Sequence, residues 1–122
     1  MPAFSRDLLV LIDGAEEVDV ETHRTGGRVR RTIIWIVVAD GHPYVRSIKG
    51  ADGLWYREMR ADDTAVLHVD DRLIPATASP VTDTAEIARV TDAFRQKYGR
   101  SPYLNGVVKP ESLSGTLRLA VR

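Results

Sequence analysis

Arg31-Thr32-Ile33-Ile34-Trp35-Ile36-Val37-Val38-Ala39 is the stretch on which the fold turns. Its side chains are mostly β-branched and apolar at odd and even positions alike, a composition that suits a pleated, packed surface. The apolar run is far below the about 20 residues that a bilayer-spanning helix needs. It reads as a central strand covered on both faces. Asp40-Gly41 follows, a two-residue hairpin signal because glycine reaches positive φ without a Cβ clash. The returning strand runs from Pro43 to Ile48, with Tyr44, Arg46 and Ile48 on one face and Val45, Ser47 and Lys49 on the other.

Upstream, Phe4, Leu8, Leu11 and Ile12 recur at helical spacing, with Ser5 placed to cap the start and Gly14 to end it. From Val18 the period changes to two: Val18 and Val20 face one way, Asp19, Glu21 and His23 the other. Thr25-Gly26-Gly27 makes a turn before the central strand. Downstream, Gly50 to Gly53 reads as a loop, Leu54 to Arg60 as a short helix, Thr64 to Val69 as a strand and Asp70-Asp71 as a turn. Leu73 to Val81 is a further strand. Pro75 and Pro80 lack ladder donors and predict that it lies at an edge or is bulged. Ile87, Val90, Phe94 and Tyr98 form one helical stripe, with Asp83 and Glu86 at capping-box spacing and Gly99 at the end. Thr116 to Arg122 alternates, with Leu117, Leu119 and Val121 inward.

Strands dominate and most links are hairpins. About six short strands sharing one core lose their exposed edges best by closing. The expected fold is mainly β: a six-stranded antiparallel barrel with short peripheral helices, the helix ending at Tyr98 packed outside. At 122 residues the chain is the size of one domain, and no linker divides it, so residues 1–122 are read as a single domain. Hydrophobic residues make up 43% and charged residues 28%, enough apolar mass for one core with a wet surface. The formal net charge of zero argues against nucleic-acid binding, which depends on a basic excess. Absence of cysteine excludes disulfides, thiolate nucleophiles and cysteine-held metals. With no signal peptide or membrane span visible, a cytoplasmic location is expected.

Two segments carry candidate chemistry. His23, Arg24, Arg28, Arg30 and Arg31 crowd around Gly26-Gly27, with no acid between residues 22 and 39. Guanidinium forks pair bidentately with phosphate, and glycines let backbone N–H groups approach an anion; the competing reading is a solvated hairpin tip. The second segment is Arg46-Ser47-Ile48-Lys49-Gly50-Ala51-Asp52-Gly53-Leu54-Trp55-Tyr56-Arg57, a strand end, a glycine loop and a helix start that would suit a phosphate. The competing reading is a plain strand-to-helix turn with Trp55 and Tyr56 as core, since large aromatics mostly serve packing. The hairpin at Asp40-Gly41 predicts that the arginine cluster and Lys49-Gly50 meet at one end of a ladder, with Asp52 as a local partner for the lysine. Known catalytic sets are missing. His23, His42 and His68 lack metal-ligand spacing, no Gly-x-Ser-x-Gly elbow or dinucleotide fingerprint occurs, and Glu16-Glu17, Asp62-Asp63 and Asp70-Asp71 sit at turns. No metal site and no catalytic residue is assigned.

Together, Thr22-His23-Arg24-Thr25-Gly26-Gly27-Arg28-Val29-Arg30-Arg31-Thr32, Ser47-Ile48-Lys49-Gly50 and Leu54-Trp55-Tyr56-Arg57-Glu58-Met59-Arg60-Ala61-Asp62 resemble the motifs of the deazaflavin-dependent nitroreductase family. That family belongs to the FMN-binding split-barrel superfamily, which includes flavin reductase and pyridoxamine-phosphate-oxidase-like proteins. The chain looks like a small branch of it, and the element order from Val18 to Val121 agrees. The departures are specific: the family's His-Pro pair before the tryptophan is absent, the loop is shorter with one glycine, and Glu58 stands where the family has Asn.

The resemblance implies a split β-barrel holding deazaflavin or FMN. Arg28, Arg30, Arg31 and Thr32 would line the phosphate side, Ser47, Lys49 and Gly50 would run along the ring, and Trp55 and Tyr56 would brace the loop. The departures leave open which cofactor is bound, or whether either is. Two functions follow: an oxidoreductase passing hydride between the cofactor and a small quinone- or nitro-like acceptor, or a non-catalytic protein that holds a cofactor or another anionic ligand. A cofactor and a small substrate are the expected partners, and a homodimer is expected both from the superfamily and from an edge marked by Pro75 and Pro80.

Overall fold

The computed structural model describes residues 4–24, 26–62 and 64–122. In chain order it contains α1 (Arg6–Gly14), β1 (Val18–His23), β2 (Val29–Ile34), β3 (Val37–Ala39), β4 (His42–Arg46), α2 (Leu54–Ala61), β5 (Thr64–Val69), β6 (Arg72–Pro80), α3 (Thr84–Tyr98), α4 (Asn105–Val108) and β7 (Thr116–Val121). Short 3-10 turns at Gly50–Asp52 and Pro110–Gly115 precede α2 and β7. The strands form one seven-stranded sheet in the order β2-β1-β5-β6-β7-β4-β3, every pairing antiparallel.

The two outermost strands of that order, β2 and β3, are successive in the chain, with only Trp35 and Ile36 between them. Three Cα–Cα steps reach roughly 11 Å, so the sheet must curl until its edges nearly meet. The result is a mainly β split barrel with helices around it. Closure uses seven strands where six were expected, because the stretch read as one central strand is two. Nor is that stretch doubly covered: Ile33 is 62% exposed. The break has a tertiary cause. Tyr98 Oη accepts from Ile36 N (3.3 Å), and Lys97 Nζ donates to Ile36 O (2.7 Å). Both backbone groups of Ile36 are thereby taken out of strand pairing by the end of α3.

Local signals elsewhere behave as their chemistry requires. Ser5 Oγ accepts from Leu8 N (3.2 Å) and caps α1, and Asp83 Oδ2 accepts from Glu86 N (2.8 Å) and caps α3. Asp40 and Gly41 take φ of 52° and 79°, joining β3 to β4 by a tight turn of the primed kind. Thr25 of the expected Gly-Gly turn and Asp63 of the acidic pair lie outside the described residues.

The expectation that β6 lies at an edge or is bulged is corrected, since it pairs with β5 on one side and β7 on the other in unbroken register. Its prolines fit because their missing donors point past a neighbour's end. Pro75 O accepts from Arg122 N, so the Pro75 nitrogen faces β7 beyond the last rung, Ala76–Val121. Pro80 lies beyond the last β5 rung, Thr64–Thr77, and faces that open side, because the next residue, Val81, donates to Thr116 of the β7 side.

Two apolar clusters hold the molecule. The barrel interior contains Val20, Ile36, Val45, Leu67, Leu117 and Leu119, to which Phe4 ahead of α1 and Ile12 within it are added, and α2 adds Tyr56 and Met59. Outside the barrel, Val90, Phe94 and Tyr98 of α3 pack with Val37, Tyr44, Val81 and Val107. Each such side chain, once buried, contributes about 1.5–3 kcal/mol. Among the described residues, no helix is long and apolar enough to cross a membrane.

Candidate functional site

Where the barrel fails to close, a cleft of about 520 Å3 opens. Arg30, Thr32 and Ile34 of β2 form one wall, Arg46 and the following Ser47 to Lys49 the opposite one, and Leu54 and Trp55 at the start of α2 a third. Trp35 stands on the link between the edges, and Tyr103 and Val107 reach in from the segment around α4. Both tryptophans of the chain therefore border the cleft. The size falls within the range of about 300–1,000 Å3 usual for small-molecule sites.

Trp35 is held flat. Its ring stacks on Tyr98 with centroids 4.0 Å apart and planes 2° from parallel. The Tyr98 hydroxyl donates to Glu16 O (2.6 Å), and burial pushes its pKa up to about 12, so it remains a neutral donor. The aromatic wall is thus bolted to α3 at its C-terminal turn.

Five of the residues expected from the sequence meet here: Arg30, Thr32, Ser47, Lys49 and Trp55. The other four lie elsewhere. Arg31 is on the opposite face of β2 and pairs with Asp19 Oδ2 at 2.7 Å. Arg28 is exposed in the β1–β2 turn. Tyr56 is buried in the barrel interior. Gly50, at φ +60°, is packed so closely against Glu111 O and Ser114 Oγ that no side chain fits, and it shapes the turn after Lys49 without bordering the cleft. Arg30 and Lys49 border the same cleft, but not at one end of a hairpin ladder as expected: β2 and β4 belong to different hairpins and do not pair.

The acid that the sequence around the arginines lacks comes from α2. Glu58 accepts one bifurcated hydrogen bond from Arg30 Nε (2.9 and 3.1 Å to its two oxygens) and one from Thr22 Oγ1 (2.7 Å), with Arg24 Nε at 3.9 Å. Burial alone would raise the Glu58 pKa; the bonds from Arg30 and Thr22 and the charges of Arg30 and Arg24 outweigh it and hold the carboxyl below its usual range. Beyond Arg30, which borders both spaces, lies a polar hollow with His23, Arg24, Arg57 and Asp62 on its walls. Asp62 is fixed by Thr64 Oγ1 (2.6 Å) and by His23 Nδ1 (3.2 Å), and the hydrogen bonds from Thr64, with a smaller effect of His23, keep its pKa low. His68 instead pairs with Glu21 (3.0 Å).

Arg46 opens the second candidate segment but was assigned no role in the site. It is 3% exposed and donates to Thr116 Oγ1, Thr91 Oγ1, Val107 O and Ile87 O, at 2.8 to 3.1 Å. An arginine in a strand otherwise destined for burial was the available signal.

The cleft thus has aromatic and aliphatic walls, hydroxyls from Thr32 and Ser47, and the cations of Arg30, Arg46 and Lys49 on its border, with Glu17 as its one bordering carboxylate among the described residues. A family model described as "Uncharacterized protein conserved in bacteria (DUF2255)" matches residues 8–119. The chain belongs to that family. No curated protein matches the sequence significantly. Solved structures share its fold. A conserved hypothetical protein, Rv2991, from Mycobacterium tuberculosis superimposes with a TM-score of 0.68 at 14% identity, over 99% of this chain and 82% of that one. An F420-H2 dependent reductase, FDR-A, gives 0.66 at 20% identity, over 85% and 93%. HutZ, the heme storage protein from Vibrio cholerae, gives 0.62 at 12% identity, over 98% and 89%. At these identities the likeness concerns the fold alone, a split barrel.

Proposed function

We propose that this DUF2255 protein is an oxidoreductase that holds a flavin-type cofactor, FMN or a deazaflavin, in the cleft beside Trp35. The observation that supports this reading is the meeting, at the split of the barrel, of Arg30, Thr32, Ser47, Lys49 and Trp55 with a second tryptophan. The donor set suits such a group. Trp35, backed by Tyr98, offers a flat face to a ring. Thr32 and Ser47 offer hydroxyls to ring oxygens and nitrogens. Arg30, with Arg24 and Arg57 in the adjoining hollow, offers guanidinium forks to a phosphate-bearing tail.

The bound cofactor would supply hydride chemistry to a small quinone- or nitro-like acceptor, and the chain would supply placement. Ile48, Leu54 and Tyr103 border the cleft as exposed apolar side chains and would keep water from an acceptor laid against the ring. A holding protein without turnover is the second reading. It is favoured by the short list of acids and bases among the described residues of the cleft, Glu17, Tyr103 and the three cations, and a heme storage protein shares the fold.

We also propose a homodimer, now on different grounds. β6 is internal, so Pro75 and Pro80 no longer argue for it. The exposed Ile33, Ile48, Leu54 and Tyr103 around the cleft are a surface that a second copy would cover. A monomer mass by sedimentation at micromolar concentration would exclude it.

Titration with FMN, F420 and heme, followed by tryptophan quenching, tests the reading. Saturable stoichiometric binding of FMN or F420, then oxidation of the reduced form by menadione or a nitroaromatic, is expected. Binding without turnover selects the holding function; failure of both FMN and F420 to bind excludes the cofactor assignment.

A further inference from the structure

Three cations border the cleft, and they differ in how their charge is met. Arg30 is matched by Glu58 at 2.9 Å. Lys49 is exposed and has water. Arg46 has neither. It is 3% exposed, and among the described residues it makes no ion pair. Glu86 of the neighbouring α3 is engaged by Tyr44 Oη (2.6 Å) and Arg118 (3.2 Å).

The groups that do meet Arg46 are neutral: two threonine hydroxyls, the carbonyls of Ile87 and Val107, and the face of Phe94 at 5.3 Å. They replace lost water hydrogen bonds and leave the charge in place. A guanidinium has five N–H groups, and these bonds occupy four of them. Burial pulls the Arg46 pKa down to about 10, which still leaves it charged at neutral pH. A buried charge without a counter-charge is costly, and this one borders a cleft beside Ser47 and Val107.

We propose that Arg46 is the anion-recognising residue of the cleft wall, and that the ligand it takes carries its negative charge on the planar ring or directly attached to it. The inference rests on the cleft being a ligand site and holds whether or not that ligand is a flavin. It separates two kinds of anionic ligand. Charge on a flexible tail is served by Arg30 and the arginines of the outer hollow. Charge on the ring system is served by Arg46, whose position is fixed by four bonds and so needs little reorganisation to receive it. Neutral planar molecules would leave the Arg46 charge unmet and bind weakly.

Isosteric probes test this: 2-naphthoate against 2-naphthamide, titrated by tryptophan quenching at constant ionic strength. The wild type should bind the carboxylate about 10-fold more tightly, the worth of one charge-assisted contact. Arg46→Gln should reduce that ratio to about twofold or less. Because Arg46 also ties α3 and α4 to the barrel, that variant is checked by circular dichroism. If it does not fold, the Arg30→Gln/Lys49→Gln double variant decides, since it leaves Arg46 as the cation of the cleft and should keep a preference of about threefold or more. Equal affinity for the two probes, binding of neither, or loss of the preference in the double variant overturns the inference. Failure of FMN and F420 to bind, with the naphthoate preference intact, overturns the cofactor reading alone.

Discussion

Tyr98→Phe removes a single oxygen, and the structure indicates what that oxygen carries. The hydroxyl donates to Glu16 O at 2.6 Å and accepts from Ile36 N at 3.3 Å, while Ile36 itself is fully buried. The variant keeps the ring and its stack on Trp35. It loses about 1 kcal/mol for the bond to Glu16 and leaves the Ile36 N–H without its acceptor, a further cost of about 1–3 kcal/mol. Ile36 O keeps Lys97 Nζ at 2.7 Å and adds nothing to the loss. The expected destabilisation is about 2–4 kcal/mol. A chain of this length unfolds with an entropy of about 0.26 kcal/mol/K, so Tm should fall by roughly 8–15 °C. Thermal unfolding by circular dichroism measures the fall, and amide hydrogen exchange at Ile36 should accelerate more than at Val45 in the barrel wall. A Tm loss under about 2 °C with unchanged Ile36 protection would refute the view that α3 holds the β2–β3 link out of the sheet.

Other perturbations test separate joints. Glu58→Gln should cost about 1–3 kcal/mol at neutral pH. The Glu58 pKa is depressed by folding, so this difference should be constant above its ordinary value of 4.5 and shrink as pH falls through the lower folded value; a difference that grows on acidification would contradict the pairing. Gly50→Ala forces a side chain into Glu111 O and Ser114 Oγ at φ +60° and should cost about 2–4 kcal/mol by denaturant unfolding, whereas an unchanged midpoint would show that the turn can yield. Asp83→Ala removes the acceptor for Glu86 N and should cost about 1 kcal/mol in chemical denaturation, with Asp83→Ser restoring most of it.

The caps, the hairpin at Asp40-Gly41 and the α3 stripe were legible because each depends on residues within one or two turns of chain. The break at Trp35-Ile36 was not. Both flanking segments are β-forming, and the groups that interrupt them, Lys97 and Tyr98, lie over 60 residues away. The same distance effect governs the site. Arg30, Thr32, Ser47, Lys49 and Trp55 could be named from motifs, since strand alternation and a glycine loop leave local traces. Glu58 was visible only as a departure from the family pattern, and its role as the acid of the arginine cluster needed α2 docked against β1. Arg31 and Tyr56 were assigned to the site by the family resemblance. One residue along a strand reverses the face, which sends Arg31 to Asp19, and α2 turns Tyr56 inward beside Met59.

The chain has two tryptophans and both border the cleft, so the indole N–H region of a 15N–1H correlation spectrum reports on the proposed site directly. Titration with FMN or F420 should shift both indole signals, Trp35 and Trp55, with one shared dissociation constant that matches the optical titration. Saturable binding that leaves both indole signals in place would put the ligand elsewhere and contradict the assignment of the cleft.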